Sequence, residues 1–76
     1  MTKPTHISSY AEFEKTLSSN TCVIADFYAD WCGPCKAIAP TFEALCAAES
    51  KPGKVAFVKV DVDRQQEIAR QYSVSA

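Results

Sequence analysis

The sequence has few of the features that mark fibrous, disordered or polyanion-binding chains. Only two of its 76 residues are glycine and 47% are hydrophobic, which excludes collagen-like and low-complexity chains. Eight Lys and Arg residues are balanced by nine Asp and Glu residues without any cationic run, so the charge pattern of a nucleic-acid binder is absent. A chain of this length holds one domain at most, and we predict a single domain over residues 1–76.

Long hydrophobic runs are absent as well. No apolar stretch approaches the ~20 residues that span a bilayer, and the residues after Met1 form no hydrophobic region of a secretory signal. We therefore expect a cytoplasmic protein that binds neither membranes nor nucleic acids.

Four cysteines, in contrast, are many for so short a chain. Cys32 and Cys35 form a C-x-x-C pair, whereas Cys22 and Cys46 are isolated. A disulfide framework and half of a zinc site are alternatives, but zinc needs two further ligands and His6 lies near the chain terminus. We favour a redox pair with no metal bound. Cys22 and Cys46 are most simply small buried apolar residues, with regulatory oxidation of Cys46 as an alternative.

Helical and strand-like hydrophobic patterns alternate along the chain. They predict, in order, a short edge strand around Ile7, a helix from Ser9 to about Asn20, a strand over residues 22–29, a helix to about Ser50, a strand over residues 55–62 and a helix that contains Ile68 and Tyr72. Ser9 and Glu12 have the spacing of a capping box. The order β-α-β-α-β-α implies parallel pairing in an α/β layered fold. The nearly continuous apolar run of residues 22–29 favours a central strand covered on both faces.

The second predicted helix has a defined apolar face. Ile38, Phe42, Leu45 and Cys46 recur at the spacing of one helical face. Pro40 lies inside this pattern, and we expect one helix with a kink after its first turn rather than two helices.

The C-x-x-C pair lies where a predicted strand ends and a helix begins, which is where active sites occur in open α/β sheets. Cys32 falls at or just before the first helical residue, where free amides and the helix dipole favour a thiolate. Cys35 follows one turn later on the same side and can close a disulfide with Cys32. Gly33 lets the backbone approach a partner closely, and Pro34 suits a first helical turn because an N–H there has no helical partner. The pair can therefore attack a disulfide and resolve the mixed disulfide that forms.

Three residues near the pair have candidate roles. Asp26 lies in the middle of an apolar strand, where a carboxylate is costly to bury. We expect it to accept the proton of Cys35, and a hydrogen-bonded structural carboxylate is the alternative. Lys59 is the one cation inside the other buried strand and is the expected neighbour of Asp26. Trp31 is expected to form a contact surface rather than part of the core. The remaining aspartates of this region, interpreted as solvated or capping groups, are Asp30, Asp61 and Asp63.

The chain resembles the thioredoxin family over essentially its whole length. The residues that carry the resemblance are the segment 26–36, with W-C-G-P-C at its centre, Pro40 and the segment 59–63. The resemblance implies a thioredoxin-like fold and a dithiol–disulfide oxidoreductase that reduces protein disulfides. Such a protein needs no bound cofactor and is recharged by thioredoxin reductase, with NADPH as the electron donor. The implied roles are nucleophile for Cys32, resolving cysteine of a redox-active disulfide for Cys35, contact residue for Trp31, and buried proton-handling pair for Asp26 and Lys59.

Members of this family continue beyond the position of Ala76 into a cis-proline loop, an antiparallel hairpin and a final helix. We therefore expect the domain to be incomplete at its C-terminus. The cis-proline loop that it is expected to lack normally lines the substrate groove. The strand over residues 22–29 is then expected to have an unpaired edge, and the chain to form a homodimer by pairing or exchanging elements with a second copy. The alternative function is a non-catalytic binding or assembly module with a thioredoxin-like fold.

Overall fold

A computed structural model describes residues 3–72, in which three strands alternate with three helices. The elements are β1 (Thr5–His6), α1 (Tyr10–Ser19), β2 (Cys22–Tyr28), α2 (Gly33–Glu49), β3 (Val55–Asp61) and α3 (Gln66–Gln71). The predicted order β-α-β-α-β-α is confirmed. Both ends of the predicted domain, residues 1–2 and 73–76, lie outside the described residues. Within residues 3–72, every helix is too short or too polar to cross a membrane.

The three strands form one parallel sheet in the order β1-β3-β2. β3 lies in the centre and pairs with β2 from Cys22 opposite Val55 to Tyr28 opposite Asp61. The prediction of a central strand over residues 22–29 is wrong within the described sheet, where β2 is an edge strand with one unpaired side. The apolar run of β2 reflects contact with helices on both faces, and contact with the faces does not determine which edges are paired.

Packing on the two faces follows from the alternation of side chains along the strands. Helices α1 and α3 cover one face, where the buried residues are Ile7, Phe13, Val58, Val60 and Ile68. Helix α2 covers the other face, where the buried residues are Phe42, Cys46 and Phe57. Because β3 is central, it contributes to both clusters, and it is therefore the strand on which both layers of the fold depend.

Helix α2 runs through Pro40 as one helix, as predicted, and buries half of its predicted apolar face. Phe42 and Cys46 are buried, whereas Ile38 and Leu45 are 53% and 49% exposed. Leu45 lines a depression together with residues of the outer edge of β2. The exposed part of the helix face thus continues the unpaired edge of the sheet.

Side-chain oxygens accept backbone N–H groups at the start of α1 and in the turn between β3 and α3. Ser9 Oγ accepts the N–H of Glu12 at 3.0 Å, as the capping box predicts. The Glu12 carboxylate bonds to Ser8 rather than Ser9, accepting its N–H at 2.6 Å and its hydroxyl at 3.0 Å. Between β3 and α3, Asp61 Oδ1 accepts two successive backbone N–H groups at 2.9 and 3.2 Å, which is the capping role expected of this aspartate.

Candidate active site

The C-x-x-C segment joins β2 to α2. Cys32 is the N-cap residue of α2, and its N–H donates to the carbonyl of Ala29 at 3.0 Å. Cys32 Sγ accepts the N–H of Cys35 at 3.3 Å, in the way that an N-cap side chain accepts from the first turn. Pro34 lies in that first turn. The predicted position of Cys32 at the start of the helix is therefore confirmed.

Cys32 and Cys35 are joined by a disulfide, with their Cα atoms 5.3 Å apart. One helical turn brings both side chains to the same side of α2, and both residues are half-buried. A Cβ atom built at Gly33 would have no atom within 4 Å, so the turn between the cysteines is open to an approaching partner. When the disulfide is reduced, a thiolate at Cys32 lies at the positive end of the helix dipole, which stabilises it.

Trp31 lies on the surface beside this disulfide. Its side chain is 63% exposed, which rules out a role in the core. The indole Nε1–H donates to Oδ2 of Asp63 at 2.8 Å, so the turn between β3 and α3 holds the ring next to Cys32. Asp63 thus has a role that was not predicted, because residues separated by 32 positions share no local sequence pattern.

Asp26 and Lys59 lie opposite each other in the register of β2 and β3. The expected neighbourhood in the sheet is present, but Lys59 Nζ lies 5.2 Å from the centroid of the Tyr28 ring. Among the described residues, Lys59 forms no ion pair with Asp26. Asp26 Oδ2 is buried and has no hydrogen-bond partner in the same part of the chain.

Tyr28 is a second residue of the site that was not predicted, because it reads as one more apolar position of β2. It lines a depression of about 160 Å³ together with Cys35 and Lys59, and a second one of about 520 Å³ together with His6 and Lys59. The rings of His6 and Tyr28 meet edge to face at 6.4 Å. Burial, followed by the neighbouring carboxylate of Asp61, raises the pKa of the Tyr28 phenol, so the neutral phenol is favoured.

Comparison with known proteins identifies the family. The sequence model of the thioredoxin family matches residues 4–76. The chain belongs to the thioredoxin family. It is 54% identical over 71 residues to a thioredoxin-like protein of Fusarium culmorum and 51% identical over 71 residues to a thioredoxin of Neurospora crassa. Each alignment covers 93% of this chain, with 59% of the Fusarium protein and 56% of the Neurospora protein.

Solved thioredoxin structures have the same fold as this chain. Thioredoxin of Plasmodium falciparum matches with a TM-score of 0.86 and 40% identity, over 95% of this chain and 68% of that chain. The oxidized form of mitochondrial thioredoxin 3 from Saccharomyces cerevisiae matches with a TM-score of 0.84 and 38% identity, over 96% and 66%. The predicted thioredoxin-like α/β fold is confirmed. The chain spans little more than half the length of the Fusarium and Neurospora relatives.

The two other cysteines of this thioredoxin-family chain lie apart from the pair. Cys46 is fully buried between α2 and the sheet, as expected for a small apolar residue. Cys22 is exposed, and the expectation that it is buried is wrong because it lies at the start of the edge strand. Within residues 3–72, no three His, Cys, Asp or Glu side chains are grouped so that they could hold a metal ion.

Proposed function

We propose that the chain acts as a dithiol–disulfide oxidoreductase that reduces disulfides of other proteins. The observation that carries this proposal is the disulfide between Cys32 and Cys35 at the N-terminus of α2, beside the exposed ring of Trp31. A disulfide at this position combines a thiol activated by a helix N-terminus with a second thiol one turn away. Membership of the thioredoxin family supports the same chemistry.

The proposed reaction has two steps, each a thiol–disulfide exchange. The Cys32 thiolate attacks one sulfur of the target disulfide, forms a mixed disulfide and displaces the other target sulfur as a thiolate. Cys35 then loses its proton, attacks Cys32 Sγ and displaces the second target sulfur. The Cys32–Cys35 disulfide forms and two electrons pass to the target, whose two sulfurs leave as thiolates and take up protons from the solvent.

Asp26 is the proposed acceptor of the Cys35 proton. It lies on the side of the sheet that α2 covers, and its Oδ2 is buried without a hydrogen-bond partner among the described residues. Its position on the face covered by the helix that carries Cys35 supports this role. Lys59, opposite Asp26 in the sheet, is the proposed second member of this proton-handling pair.

The dithiol itself carries the electrons, so the proposed reaction needs no bound cofactor. We propose thioredoxin reductase as the partner that returns two electrons from NADPH to the Cys32–Cys35 disulfide. The proposed compartment is the cytoplasm, where the reducing poise keeps such a dithiol reduced and where the protein contributes to electron transport and redox homeostasis.

Trapping of the mixed disulfide tests the proposed roles of the two cysteines. All variants are made on a Cys22→Ser background, because Cys22 is an exposed free thiol. With Cys35→Ser, a disulfide-containing target such as insulin is expected to stay attached through Cys32. The matched control is Cys32→Ser, which keeps Cys35 and is expected to trap no target. Equal trapping by the two variants would contradict the proposed roles.

Among residues 3–72, one side of β2 is unpaired, and this favours a second candidate function, that of a non-catalytic binding or assembly module. Ile24 on this strand is 40% exposed, and Leu45 beside it is 49% exposed. An open strand with apolar neighbours is a surface on which another chain, including a second copy, can pair. Reduction of insulin in the presence of dithiothreitol, measured together with the molecular mass in solution, separates the two functions. Turnover supports the oxidoreductase, and a folded dimer without turnover supports the module.

A further inference from the structure

The ammonium of Lys59 has two possible partners at almost the same position in the sheet. The register places Asp26 directly opposite Lys59, and Tyr28 is the next residue of β2 on the same face. The observed geometry puts Nζ 5.2 Å from the centroid of the Tyr28 ring, within the range of a cation–π interaction. It leaves Oδ2 of Asp26 buried without a partner among the described residues.

Because Tyr28 and Lys59 lie near Cys35, the partner of the Lys59 ammonium affects the chemistry of the redox pair. Tyr28 and Lys59 line the same small depression as Cys35, the cysteine that has to lose its proton in the proposed reaction. An ammonium paired with Asp26 would favour the ionised carboxylate and make it a weaker proton acceptor. An ammonium held over the ring leaves the carboxylate free to accept the proton.

We propose that Tyr28 is a positioning residue that holds the Lys59 ammonium over its ring and away from Asp26, so that Asp26 stays available to accept the proton of Cys35. This inference rests on the proposed oxidoreductase function, and it adds a role for the aromatic ring that is independent of target binding. The ring itself, rather than the phenol hydroxyl, is the part that acts, because the cation lies over the ring.

Several titratable groups other than Asp26 surround this region, and all of them remain in every variant described below. They are His6 on β1, Asp30 after β2, Cys35 and Lys36 on α2, Asp61 on β3 and Arg64 after it. Because the variants change only Tyr28 or Lys59, each pH profile includes the titration of these groups, and the comparison is made between variants that share the same background.

Stopped-flow reaction of the reduced chain with 5,5'-dithiobis(2-nitrobenzoate) tests the proposal on a Cys22→Ser background. The first nitrothiobenzoate is released when the Cys32 thiolate attacks the reagent disulfide, and the second when Cys35 attacks the resulting mixed disulfide, so the pH dependence of the second phase reports on proton removal. Tyr28→Leu is expected to move the acid midpoint of the second phase to lower pH by about 1 unit, because the freed ammonium pairs with Asp26. Tyr28→Phe keeps the ring and is expected to have the same midpoint as the parent protein with Cys22→Ser alone.

A double-mutant cycle with Lys59→Met separates positioning from a general structural effect. Without the ammonium, Tyr28→Leu is expected to leave the midpoint of the Lys59→Met protein where it is. An equal shift in both backgrounds would overturn the proposal, as would an unshifted midpoint in Tyr28→Leu alone. Absence of any second phase in the parent protein would instead refute the oxidoreductase function, and this inference with it.

A measurement on the unmodified chain makes the test independent of whether the Leu variant folds. The methylene protons next to Nζ of Lys59 are expected to show an upfield ring-current shift in the NMR spectrum, since the ring face of Tyr28 lies beneath the ammonium. Chemical shifts equal to those of exposed lysines, such as Lys36, would overturn the proposal.

Discussion

The hydrogen bond between Trp31 and Asp63 connects the turn after β3 to the surface beside the redox pair, and Asp63→Ala removes its acceptor. The indole N–H lies 2.8 Å from a carboxylate oxygen, which is a charge-assisted geometry. Hydrogen bonds to charged groups contribute about 1.5–3 kcal/mol in general, and the 63% exposure of Trp31 places this bond below that range, at about 1 kcal/mol. We therefore expect Asp63→Ala to lower the free energy of unfolding by about 1 kcal/mol and to release the ring.

Urea unfolding followed by circular dichroism measures the first effect. With a slope of about 1 kcal/mol per molar urea for a chain of this size, the midpoint should fall by about 1 M. Acrylamide quenching measures the second effect, because Trp31 is the only tryptophan in the sequence. All samples are kept oxidised, as in the structure, so that the neighbouring disulfide affects the fluorescence equally.

Glu43→Ala is the matched control, since it removes one negative charge from an exposed position of α2. Asp63→Asn keeps an acceptor without the charge and should fall between the two. If the ring position matters for the attack on a target, the loss in kcat/KM should not exceed about fivefold, the equivalent of 1 kcal/mol. An Asp63→Ala protein with the urea midpoint and the quenching of Glu43→Ala would refute this reasoning.

Three further predictions concern the core, the glycines and alkaline pH. Ile68→Ala should cost about 2–5 kcal/mol in urea unfolding, because Ile68 is fully buried between α3 and the sheet; a loss below about 1 kcal/mol would contradict its place in the core. Gly33→Ala should leave stability nearly unchanged, whereas Gly53→Ala should cost about 1 kcal/mol because Gly53 has a φ of +75°; equal midpoints would show that backbone conformation is not the cause. Since burial raises the pKa of Tyr28 above its usual 10.0, its contribution to stability is complete below pH 10 and is lost as the pH rises through the folded-state pKa. Tyr28→Phe should reduce this alkaline loss, and an unchanged pH dependence would contradict it.

Local patterns were sufficient to predict the elements and the position of the redox pair. The spacing of apolar residues depends only on the geometry of one helix or strand, and the cap at Ser9 involves a partner three residues away. The start of α2 at Cys32 follows from the end of the β2 pattern in the same way. Each of these features depends on residues that are adjacent in the chain, and the sequence displays such neighbours directly.

Features that depend on distant segments cannot be derived from local patterns. The Trp31–Asp63 bond joins two turns that only the completed sheet brings together. The unpaired edge of β2 is expected from the family resemblance and not from its apolar run, because such a run has the same appearance at the edge and in the centre when helices cover both faces. The exposure of Leu45, on a helix face that reads as buried throughout, follows from this edge.

The partner of Lys59 shows why the sheet register alone does not determine an interaction. Register brings Lys59 opposite Asp26, and opposite charges at that spacing suggest an ion pair. An ion pair with the buried Asp26 oxygen would require the ammonium to give up its water, and in a partly buried site this desolvation opposes the Coulomb attraction. Over the Tyr28 ring the ammonium still lines the larger depression, of about 520 Å³, where water can reach it. We propose that water in this depression is one reason for the aromatic partner, which leaves unpaired the carboxylate that the proposed chemistry requires.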